Sequence, residues 1–132
     1  MRGSAFCFAG AVVFIVPPYS CHKPTAQEEY AQAKHCYAAY GASLKIVPAA
    51  RFTQAGIDPA LIERASDANV DAAYDAGKQI GMSPGTISHD LDQAKAAYLR
   101  AHAGSGDADR KFNDLREDVN GCIGDDYGRP ND

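Results

Sequence analysis

The dipeptides Asp58-Pro59 and Ser83-Pro84 constrain this chain more than anything else in it. Each places a side-chain acceptor directly before a proline. That order marks a helix start: the acceptor caps an orphan backbone N–H, and proline sits in the turn where an N–H has no partner anyway. Thr25 and Glu28 add capping-box spacing, and Asp107 offers another cap. Stop signals alternate with these starts. Gly41 weakens the first helix and Pro48 ends it. Gly56 suits a left-handed C-terminal position, Gly81 stops the next helix, and Ala103-Gly104-Ser105-Gly106 breaks the one after.

Between these marks apolar residues recur at steps of three and four, the spacing of one helical face. The first face runs Ala26, Tyr30, Ala33, Tyr37, Tyr40, Leu44, Val47. The second is Leu61, Ala65, Ala68, Ala72, Ala76, Ile80, and the third Ile87, Leu91, Ala94, Tyr98, Ala101. The fourth is Phe112, Leu115, Val119, Cys122. Residues 48–56 suffice for one or two turns anchored by Phe52. Strand-like alternation is missing outside the first residues, and no repeat is evident. The expectation is an all-α fold: a small four-helix bundle-like domain over 25–123, with antiparallel neighbours and a flexible tail at 124–132.

The first 21 residues read differently. Arg2 precedes an apolar run from Ala5 to Val16, closed by Pro17-Pro18. A positive start, a run too short for a membrane span and helix breakers at its end describe a signal peptide or lipoprotein leader. A buried N-terminal helix is the alternative. Cys21 after Ser20 is a candidate lipidation site, although Pro18 and Tyr19 are poor residues for the positions before it. The expected location is periplasmic or secreted, with membrane contact only through the leader or a lipidated Cys21.

Export changes the meaning of the four cysteines. Cys7 lies in the leader and Cys21 at its boundary. Cys36 and Cys122 remain in the body, and in an oxidising compartment such a pair is expected to join. Antiparallel first and last helices would bring them within about a turn of each other.

Little else points to chemistry. Ser88, His89 and Asp90 are the residue types of a catalytic triad, but consecutive helical positions splay apart and cannot relay a proton. Glu117, Asp118, Asp125 and Asp126 lack the alternating spacing and central glycine of a calcium loop, so they read as a solvated acidic surface. No catalytic residue, metal ligand or cofactor emerges. The tyrosines Tyr30, Tyr37, Tyr40, Tyr74 and Tyr98 fall on or near the apolar faces. They would either line a cavity for a flat apolar ligand or fill gaps between alanine-rich helices.

Residues 76–91 combine a helix end, Gly81 as a tight turn, Ser83 as a cap, and Ile87 with Leu91 as packing residues. This stretch resembles the helix-turn-helix of bacterial transcription regulators, which implies DNA binding through the second helix. Yet that helix presents Ser88, His89, Asp90 and Asp92 before any Lys or Arg, and carboxylates repel phosphate. The net charge of −4 offers no basic surface for nucleic acid. The leading expectation is therefore a non-enzymatic, exported helical protein acting as an interaction or structural module toward a protein or envelope partner. DNA binding and capture of a small apolar ligand by the tyrosines are the alternatives.

Overall fold

The computed structural model describes residues 23–104 and 106–127. The expected leader, including Cys21, lies outside them. Five helices follow in order: α1 Ala26–Ile46, α2 Ala49–Gln54, α3 Pro59–Gln79, α4 Pro84–His102 and α5 Ala108–Tyr127. Four are long and α2 is the short segment around Phe52. There is no strand among the described residues, and no described helix is long and apolar enough to cross a membrane.

The helices begin where the caps place them. Thr25 Oγ1 accepts from the Glu28 N–H, and the Glu28 carboxylate accepts from the Thr25 N–H in return. Asp58 caps α3 through the Ala60 N–H and Ser83 caps α4 through the Thr86 N–H, each followed by its proline. Two helices end on glycine in the left-handed region, Gly56 at φ +79° and Gly81 at φ +82°. In both, the next residue's N–H reaches back to close the end: Ile57 to the Phe52 carbonyl and Met82 to the Gly77 carbonyl, each at 2.9 Å.

α1 does not behave as an amphipathic surface helix. It packs against α3, α4 and α5, most extensively against α3. Cys36, Ala38, Ala39, Tyr40, Ala42 and Ser43 are all buried, and steps of about 100° per residue spread them over roughly 200° of the circumference. An arc wider than the ~100° stripe of a surface helix lets α1 meet three neighbours at once. The face expected for α1 is thus one part of a larger buried surface. Gly41 sits within it without breaking the helix, and the aliphatic stem of Lys95 crosses the space where its Cβ would be.

The α3 face is also turned from the expected one. Ile62, Ala65, Asn69, Ala73, Ala76 and Gly77 are buried, whereas Leu61 and Ala72 are half-buried and Ala68 is exposed. The helix carries alanine on several sides, so apolar spacing alone fits more than one register. Gly77 sets the close approach: a Cβ there would lie 2.6 Å from Ile87 Cδ1 and 3.4 Å from Tyr30 Cε2. The α5 face of Phe112, Leu115, Val119 and Cys122 is buried as expected.

Two core clusters result. Tyr30, Ala33, Ala73, Ala76, Ile87 and Leu91 join the front of α1 to the end of α3 and the start of α4. Tyr40, Phe52, Ile62, Leu115 and Val119 join the back of α1 to α2, α3 and α5. Cys36 and Cys122 belong to the second cluster at disulfide distance, with Cα atoms 5.6 Å apart across 86 positions of sequence. The last helix does not stop at residue 123. It continues through Tyr127, because Asp125 and Asp126 find partners on α1 and α3. Residues 128–132 of the expected tail lie outside the described residues.

Candidate functional site

The five tyrosines do not converge on one cavity. Tyr30, Tyr37 and Tyr74 belong with the first cluster, Tyr40 and Tyr98 with the second. Three of them point their hydroxyls at carboxylates on a different helix. Tyr30 donates to Asp90 at 2.9 Å, joining α1 to α4. Tyr40 donates to Asp126 at 2.9 Å, joining α1 to α5. Tyr98 donates to Asp118, joining α4 to α5. Tyr37 lies under the Lys95 ammonium, 5.7 Å from its ring centroid. His102 stacks on Tyr98 at 4.3 Å and His35 meets the same ring edge-on at 6.2 Å.

The expected solvated acidic surface on α5 holds for the exposed Glu117 and Asp125, and is corrected for Asp118 and Asp126, which are half-buried. Asp118 takes the Tyr98 hydroxyl, and Asp125 takes the Gln32 amide at 2.7 Å. Asp126 takes both the Tyr40 hydroxyl and the Asn69 amide, each at 2.9 Å. Asn69 is fully buried and its amide also donates to the Ala65 carbonyl at 2.7 Å. A node on α1, α3 and α5 thus forms one turn beyond the cysteine pair. Sequence reading missed Asn69 because polarity alone argues against burial. Its place on the Ala65–Ala73–Ala76 face is the available signal.

The raised tyrosines carry a pH dependence. Burial, followed by the hydrogen bond and charge of Asp90, pushes the Tyr30 hydroxyl up to about 12. Burial, then the hydrogen bond and charge of Asp118, raises Tyr98 as well. Burial and the charge of Asp92 raise Tyr37. A raised tyrosine means that the fold prefers the neutral, donating hydroxyl. The stability it contributes is complete below the unfolded value of about 10 and is lost as pH climbs through the folded one. Urea melts between pH 9 and 12 should show a steep alkaline loss, shallower in Tyr30→Phe and Tyr98→Phe. Equal slopes in wild type and variants would place the alkaline transition elsewhere.

The stretch 76–91 supplies the end of α3, the Gly81 turn and the start of α4. Ile87 and Leu91 face the core, and Asp90 is occupied by Tyr30. Ser88, His89 and Asp92 face outward.

A cavity that no motif announced lies where α1 and α4 end, α2 begins and α5 begins. Its volume is about 430 Å³, and its lining includes Ile46, Val47 and Leu99 together with Lys45, Arg51 and Lys111. No described tyrosine lines it. Beside it, Phe52 and Phe112 meet edge-to-face at 5.6 Å, and the Arg51 guanidinium lies 4.8 Å from the Phe112 centroid. Arg51 also pairs with the exposed Asp109. No protein-family model, curated protein or solved structure matches the chain.

Proposed function

We propose that this chain is an exported, non-enzymatic helical module that acts by binding a protein or envelope partner, its body closed by a Cys36–Cys122 disulfide. The observation that carries the reading is the cysteine pair. Two residues 86 positions apart stand with Cα atoms 5.6 Å apart inside the core, within the range a disulfide spans. Such bonds persist where thiols are not kept reduced. The leader-like composition of residues 1–21 supports the same compartment.

The test is intact mass of the protein recovered from fractionated host cells, with and without reductant. The expected species lacks the leader, sits outside the cytosol and gains two hydrogens on reduction. Added acyl mass would assign Cys21 as the anchor. Full-length, reduced protein confined to the cytosol would sink the proposal.

A further inference from the structure

The cavity concentrates a charge opposite to that of the whole chain. The chain is net −4, yet Lys45, Arg51 and Lys111 line this cavity and no carboxylate among the described residues does. Arg51 is held in place by the Phe112 ring and by Asp109. Lys45 and Lys111 form no ion pair among the described residues. Helix electrostatics accounts for Lys45, which lies in the last turn of α1 and offsets its carbonyl end. It does not account for Lys111. That residue lies near the start of α5, where a cation opposes the helix dipole. Two cations from different helices, neither in an ion pair among the described residues, therefore face one cavity with apolar walls.

We infer that this cavity binds a small amphiphilic anion, with an aliphatic body against Val47 and Leu99 and a carboxylate or phosphate head between Lys45 and Lys111. The volume of about 430 Å³ falls in the range of small-molecule sites, ~300–1,000 Å³. Burial of the aliphatic body supplies affinity. The lysines select the head, since an anion gains from both and a cation is repelled by both. The inference rests on reading the chain as a binding module and does not depend on its compartment.

The full chain, oxidised, would be titrated calorimetrically with decanoate, decyl phosphate, decanol and decyltrimethylammonium, each below its micelle concentration. Decanoate or decyl phosphate is expected to bind, the tighter of the two identifying the head. Decanol should bind more weakly and the ammonium not at all. Lys45→Glu with Lys111→Glu should weaken the anion on the order of tenfold, the scale of two partly exposed charge contacts. Arg110→Glu, on the exposed side of α5, should leave it unchanged. Added salt should weaken decanoate and spare decanol in the unmodified protein, a readout that needs no variant. Absence of binding by both anions, equal binding of the ammonium, or indifference to salt would overturn the inference. The outcome is separable from that of the previous proposal: a cytosolic, reduced chain that binds decanoate would end the export reading and keep this one.

Discussion

Reducing the Cys36–Cys122 pair, or replacing both residues by serine, is expected to lower the melting temperature by roughly 10–20 °C in a body of this size. The effect lies chiefly in the unfolded chain. A bond across 86 positions removes conformations from the unfolded ensemble, worth about 4 kcal/mol on the loop-entropy account, with measured values often nearer 2. Both sites are buried in the core shared by α1 and α5, so serine there adds a cost of its own. Reduction without mutation separates the two effects. Circular dichroism melts with and without reductant provide the measurement. An unchanged melting point on reduction would mean that the bond does not form or constrains nothing.

Asn69→Ala should be the second most damaging change, at about 2–4 kcal/mol from lost charge-assisted hydrogen bonding plus a cavity. Asn69 is fully buried and donates to both the Ala65 carbonyl and the Asp126 carboxylate. Removing its amide takes a donor from a partly buried carboxylate that also holds Tyr40. Asn69→Leu keeps most of the volume and isolates the hydrogen-bonding part. A double-mutant cycle with Asp126→Ala should return a coupling of about 1 kcal/mol or more. Additive single and double variants in denaturant melts would show that the node does not couple α3 to α5.

Much of this fold was legible because helix boundaries are local. Thr25, Asp58 and Ser83 cap through atoms two or three residues away, and Gly56 and Gly81 close their helices within a single turn. The α5 face was equally legible, since its large apolar residues fall on one side only. The faces of α1 and α3 were not. Alanine tolerates both interior and surface, so Ala38, Ala39 and Ala42 gave no sign of being enclosed while Ala68 suggested burial it does not have. Asp118 and Asp126 look solvated until other helices deliver Tyr98 and Tyr40. The cavity belongs to the ends of four elements and to no contiguous stretch, so no motif could mark it.

The pairing of Gln32 with Asp125 and the closeness of Cys36 to Cys122 give the bundle two poles. The beginning of α1 and the end of α5 share one pole. Lys45 and the cavity occupy the other, since α1 spans 21 residues and so about 30 Å. The described residues just ahead of α1, 23–25, therefore lie at the end remote from the cavity. An anchor, a tag or a fused domain joined directly at Lys23 or Tyr127 would attach at the pole opposite the cavity, as a lamp hangs from its bracket.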